Sequence, residues 1–156
     1  TPQIDNEIKV RFEHSWKKAA AGEYSQWRES ADGSVALIVI LDQFPLNMYR
    51  LEPKSFQTEN MAVDVALNAI NNGYDEVLND EQLLFLFMPL MHSENIDHQN
   101  LQVYLFEKYN FNLEFSKHHR DLVKKFGRFP HRNEILGRMS TMEELDYLLS
   151  DNAFKG

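Results

Sequence analysis

The chain has 156 residues, 43% of them hydrophobic, and its eleven Phe, six Tyr and two Trp are enough for one domain with one core. A net charge of −8 argues against general nucleic-acid binding, and the absence of cysteine excludes disulfides, thiolate catalysis and Cys-type zinc sites. No window approaches the roughly 18 apolar residues of a membrane span, and Thr1-Pro2-Gln3 does not open a signal peptide, so no membrane partner is expected and the cytoplasm is the expected compartment.

The first helix is expected from about Ile4 to Ala21, because Ile4, Ile8, Phe12 and Trp16 recur every four residues and Gly22 follows. Ala31-Asp32-Gly33-Ser34 reads as a turn. Val35 to Leu41 is seven apolar residues in a row. Its β-branched content pulls toward a strand, but a lone strand among helices would leave its backbone unpaired, so a buried helix is predicted. That helix should stop near Phe44-Pro45.

Pro53 should open a third helix, with Phe56, Val63, Leu67 and Ile70 on one face and Gly73 at its end. Asp80 is a candidate cap for a fourth, whose run Leu83 to Met91 is apolar all round and belongs at the centre of the domain. Pro89 should kink or end it. A fifth helix is expected from about Ile96 to Tyr109 and a sixth from Asn112 to Gly127. A helical turn then starts at Phe129-Pro130 and stops at Gly137. Ser140 and Thr141 each precede a Glu by three residues, a capping-box pattern for a last helix ending near Ser150. Short turns between these pieces predict an all-α fold, a helical bundle or stacked antiparallel helical hairpins, in a single domain.

Charge is uneven. Residues 113–138 carry +4, so the remainder carries −12. Three constellations hold the chemistry. Leu41-Asp42-Gln43-Phe44-Pro45 places an acid after the apolar run, where a buried carboxylate needs a cation or several donors. A partner in the basic island is the favoured reading there, and a perturbed acid in a cleft is the sharper one.

His92-Ser93-Glu94, followed by Asp97, His98 and Gln99, sits just past the most apolar helix. These residues either satisfy helix termini or supply an acid–base pair. His92 and Glu94 are two apart and would diverge on a helix, and no His-Glu-x-x-His pattern exists, so no metal is expected.

The third constellation is Gly127-Arg128-Phe129-Pro130-His131-Arg132-Asn133, closing with Gly137-Arg138. Its guanidinium groups either grip an anion or pair internally with Asp42, Glu94 or Asp97. His118 and His119 interrupt a stripe of Phe115, Leu122 and Phe126 and are expected in the core, as are Tyr104, Phe106, Tyr109 and Phe111. No Gly-rich phosphate loop is present, and no cofactor is expected.

At these three runs the chain resembles the bacterial DUF924 family. Its marks are Leu-Asp-Gln-Phe-Pro, His-Ser-Glu with a following Asp and Gln, and Gly-Arg-Phe-Pro-His-Arg-Asn closing in Leu-Gly-Arg, here Leu136-Gly137-Arg138. The resemblance extends from about Asp5 to Leu149. It implies a TPR-like all-α fold and brings no activity. Two departures stand out. Leu46 occupies the place where the family has Arg, and the family's aromatic opening segment has no counterpart. With Thr rather than Met at residue 1, a missing N-terminal segment is the expectation.

Three functional readings follow. The first is a helical binding module whose pocket of Asp42, Gln43, His92, Glu94, Asp97, Gln99, Arg128, His131, Arg132, Asn133 and Arg138 holds a small anionic ligand or an acidic peptide end. The second is a hydrolase-type enzyme using His92 or Glu94 as base and Arg128 or Arg132 as anion stabiliser. The third is a protein-interaction scaffold with a concave helical surface.

Overall fold

The computed structural model describes residues 1–156. All regular structure is helical, as the apolar periodicities require. No helix is long and apolar enough to cross a membrane. The chain forms two compact units, Thr1–Ser93 and Glu94–Gly156.

In the first unit, α1 (Pro2–Ala20) is capped by the Thr1 hydroxyl, which accepts the Ile4 N–H. Its apolar stripe deepens along its length: Ile4 is exposed, Phe12 stacks on Phe44 at 4.6 Å, and Trp16 is buried. A 3-10 turn at Ser25–Glu29 follows. The Ser30 side chain then accepts the Gly33 N–H at 3.0 Å and starts α2 (Ala31–Ile38). Residues 31–34 are therefore the first turn of a helix rather than a connecting turn. Gly33 is required there, since a Cβ would run into the Trp27 carbonyl.

Val39–Gln43 is a π-turn, in which the Phe44 N–H reaches back to the Val39 carbonyl. The helix does not stop at Phe44-Pro45 but continues as α3 (Phe44–Met48). The physical reason lies in what Pro45 lacks. Having no N–H, it leaves the Leu41 carbonyl without its helical donor. The Thr58 hydroxyl donates to that carbonyl instead, at 2.6 Å, and the Thr58 oxygen accepts the Trp16 indole N–H at 3.0 Å. A substitute donor from elsewhere in the unit thus carries the helix past its proline.

Pro53 opens only a 3-10 turn, Pro53–Phe56, and α4 begins six residues later (Glu59–Asn71). Its deepest face is built from Ala62, Val63, Val65, Ala66 and Ala69, while Leu67 and Ile70 are half-buried. Small side chains let α4 approach its neighbours closely, which a search for large apolar residues overlooks. The last helix of the unit, α5 (Asp80–Met91), starts one residue earlier than expected: Asn79 and Gln82 form a reciprocal capping box. Pro89 lies in its last turn, and the helix ends two residues beyond it. Leu83, Leu86, Phe87, Leu90 and Met91 are buried, and Leu84 faces outward.

In the second unit, α6 (Ile96–Lys108) is capped by Asn95 and α7 (Leu113–Phe126) by Asn112. The two helices are joined through a buried amide cluster. Gln102 donates to Gln99 and to the Ser116 carbonyl, and the Ser116 hydroxyl donates back to Gln102 at 2.6 Å. Gly127, at φ 73°, ends α7 in the left-handed conformation. A 3-10 turn at Pro130–Arg132 and a turn through Gly137 lead to α8 (Met142–Leu148). Thr141 with Glu144 forms the capping box of α8; Ser140 with Glu143 does not.

Candidate functional site

In the first unit, the apolar run of α2 carries the chain inward, and the π-turn leaves Asp42 on its inner side, 5% exposed. His92, at the C-terminal cap of α5, brings Nδ1 within 3.0 and 2.9 Å of the two Asp42 oxygens. The carboxylate accepts, so Nδ1 carries the proton and the ring's orientation is fixed. The His92 side chain keeps 21% of its surface open. Gln43, the next residue, turns the other way. It donates to Asn47, which donates to Asp5, and Arg50 grips Asp5 with Nε and Nη2 at 2.7 and 3.0 Å.

In the second unit, the turn after α7 organises a second polar assembly. Arg138 donates from Nη1 and Nη2 to Glu94, at 2.8 and 3.0 Å, from Nε to Asn133, and from Nη2 to the Phe129 carbonyl. Phe129 N–H also donates to Glu94, at 2.6 Å. Burial pushes the Glu94 carboxyl up, but Arg138 and the Phe129 N–H outweigh it and hold the group below the usual carboxylate range.

Arg128 forms the matching pair with Glu144, from Nε at 3.0 Å and Nη2 at 2.8 Å, and donates to the Met139 carbonyl. Glu144 is buried and also accepts from Asn133 and from the Thr141 N–H. Hydrogen bonds from Arg128 first, then those from Thr141 and Asn133 against the opposing effect of burial, hold Glu144 at about 2.

The remaining residues singled out in the sequence have distinct places. Arg132 is 4% exposed, with its guanidinium 5.1 Å from the Phe129 ring centre. His131 is half-buried, and its Nδ1 is buried without a hydrogen-bond partner. Burial, then the neighbouring Arg132 charge, pushes its pKa down to about 4, so the ring is neutral at physiological pH. Gln99 is fully buried in the amide cluster of α6 and α7. Asp97 is exposed in the first turn of α6, where its charge favours the helix N-terminus.

His119 is buried as expected, with Nδ1 donating to the Phe115 carbonyl. Phe106 is buried too, but Tyr104 is 61% exposed and Phe115 50%.

Within its unit, then, Asp42 meets His92. Within the other, Glu94, Arg128, Asn133 and Arg138 share one network. Glu144 is the member that the sequence reading missed. It stands out there only as a cap residue, and its spacing of sixteen from Arg128 follows no local rule. The partner found for Asp42 is an imidazole rather than a guanidinium.

A family model described as bacterial protein of unknown function, DUF924, matches residues 1–152. The solved structure of a protein of unknown function from Agrobacterium tumefaciens superposes with a TM-score of 0.91 at 36% sequence identity, covering 96% of this chain and 85% of that one. No curated protein matches the chain.

Proposed function

We propose that this chain, which belongs to the DUF924 family of bacterial proteins of unknown function, performs acid–base work on a small ligand at the imidazole of His92, with Asp42 as its positioning residue. One observation carries the reading: a buried carboxylate sets both oxygens on Nδ1 of a partly open imidazole. Asp42 holds the tautomer, so proton exchange with a ligand takes place at Nε2. The reaction class that suits such a group is hydrolysis, with Nε2 taking a proton from water or from a substrate hydroxyl.

Glu94 is the weaker candidate for the base. Its charge is neutralised by Arg138 and by the Phe129 N–H, and a carboxylate held below its usual range takes a proton poorly near neutrality. Simple binding of a small anion or acidic peptide end is the second reading. It is favoured by the Nη1 of Arg128, which takes no part in the bonds to Glu144 and Met139.

The test is a screen of ester, phosphoester and amide substrates with the wild-type chain, His92→Gln and Asp42→Asn, each checked for folding by circular dichroism. Expected is turnover abolished in His92→Gln and lowered through kcat in Asp42→Asn. Turnover that survives His92→Gln rules out His92 as the base. A ligand that stabilises the chain without turnover, and whose thermal shift is lost in Arg128→Ala, favours the second reading.

A further inference from the structure

We propose that the outer face of α8, an apolar stripe with an acidic edge, is a docking surface for a partner protein that presents an apolar face edged by lysine or arginine. α8 inverts the usual amphipathic pattern. It buries a carboxylate, Glu144, at 2% exposure, and leaves Met142 at 75%, Leu145 at 44% and Leu149 at 87%. Residues three, four and seven apart share one helix face, so these three form a single stripe. Met139, three residues before Met142, is 89% exposed. Together the four side chains offer on the order of 500 Å² of apolar surface, which is the apolar share of the roughly 800 Å² that each partner buries in a standard interface.

The inversion is held from inside the unit. Arg128 and Asn133 donate to Glu144, which also accepts the Thr141 N–H. The Tyr147 hydroxyl accepts the Phe154 N–H at 2.7 Å and pairs with His118 Nε2 at 2.9 Å. Rolling α8 to bury its leucines would break these bonds and strand the Glu144 charge. The stripe is therefore presented in a fixed orientation, and the chain leaves it uncovered.

Charge selects the occupant. Glu143 and Asp146 are exposed beside the stripe, Asp151 follows it, and no Lys or Arg occurs from Met139 to Ala153. Arg128, the cation bonded to this segment, is turned inward to Glu144. Such an edge attracts a basic rim and repels an anionic membrane surface. It also opposes self-pairing. Two copies of α8 crossing antiparallel about a two-fold axis would set Glu143 and Asp146 against their own kind, on chains that each carry −8. The unbranched, polarizable side chains of Met139 and Met142 adapt to apolar partners of varied shape.

The probe is a labelled amphipathic helical peptide of leucine and lysine, acetyl-Leu-Lys-Lys-Leu-Leu-Lys-Leu-Leu-Lys-Lys-Leu-Leu-Lys-Leu-amide, titrated with the full chain at about physiological salt and followed by fluorescence anisotropy. Binding is expected to weaken at least about tenfold when Met142→Ser and Leu149→Ser are combined, and about threefold in Asp146→Asn. The same peptide with glutamate for lysine should not bind.

No binding of the lysine peptide, or equal affinity for wild type and a folded double variant, overturns the proposal. Should the double variant unfold, Glu143→Lys with Asp146→Lys serves instead, and must also weaken binding about tenfold; unchanged affinity overturns the proposal as well. A wild-type dimer that the double variant abolishes would give the stripe to a second copy. Sedimentation with neutral phosphatidylcholine vesicles, lost in the double variant, would give it to a lipid surface. Either result overturns the partner reading.

Discussion

Thr58→Val tests the account of how the helix passes Pro45. Thr58 is 2% exposed, and its single hydroxyl serves two buried groups, the Leu41 carbonyl at 2.6 Å and the Trp16 indole N–H at 3.0 Å. Valine has nearly the same shape, so no cavity opens, but both groups lose their partner. Each buried orphan costs about 1–3 kcal/mol, and the added methyl returns about 0.8 kcal/mol. For the two orphans together the net loss should be about 1–5 kcal/mol.

Urea unfolding followed by tryptophan fluorescence measures this loss, since Trp16 lies within the affected cluster. Thr58→Ser keeps the hydroxyl and should cost only about 1 kcal/mol. The indole N–H of Trp16 should exchange faster in Thr58→Val than in Thr58→Ser. If Thr58→Val matches the wild type while Thr58→Ser is weaker, the methyl rather than the hydroxyl matters, and the relay between Pro45 and Trp16 is wrong.

Gly33→Ala should destabilise by about 1–3 kcal/mol, read by the same unfolding assay, because the new Cβ meets the fixed Trp27 carbonyl rather than a movable side chain. Glu144 falls from an ordinary 4.5 to about 2, so its contribution is complete above pH 4.5 and disappears as the pH drops toward 2. Allowing for the partly exposed Arg128, Glu144→Gln should cost about 2 kcal/mol at pH 7, with the gap to wild type narrowing in urea titrations at pH 3. Asp42→Asn turns one of the two accepting oxygens into an NH2 donor, so Nδ1 no longer has to carry the proton. Long-range nitrogen–proton NMR should then show His92 as a mixture of tautomers in place of the Nδ1–H form.

Much of the framework was legible because it rests on local rules. Asn112 and Thr141 cap helices where their side chains can accept early N–H groups, and Gly127 ends α7 because only glycine takes φ 73° at little cost. The burial of Asp42 also followed from the apolar run that precedes it. What failed depended on distant atoms. Pro45 reads as a stop until the Thr58 hydroxyl, thirteen residues on, replaces the missing donor. The pairing of Arg128 with Glu144 was hidden because Glu144 already had a local role as a cap, and one carboxylate can do both. Likewise the close face of α4 is made by alanines, whose value lies in the backbone approach they permit.

The most distinctive run of the sequence, Gly127 to Arg138, spends most of its chemistry internally. Gly127 turns the chain, Arg128 and Arg138 each close a two-pronged bond on a carboxylate, and Asn133 ties the pairs together through Glu144 and Arg138 Nε. Replacing either arginine by lysine would keep the charge and lose the fork, so the identity of each residue is demanded by geometry. A motif this specific therefore reports a folding requirement of the second unit before it reports a ligand. Function is better sought where polar chemistry is held in place but still open to solvent. The imidazole oriented by Asp42 meets that condition.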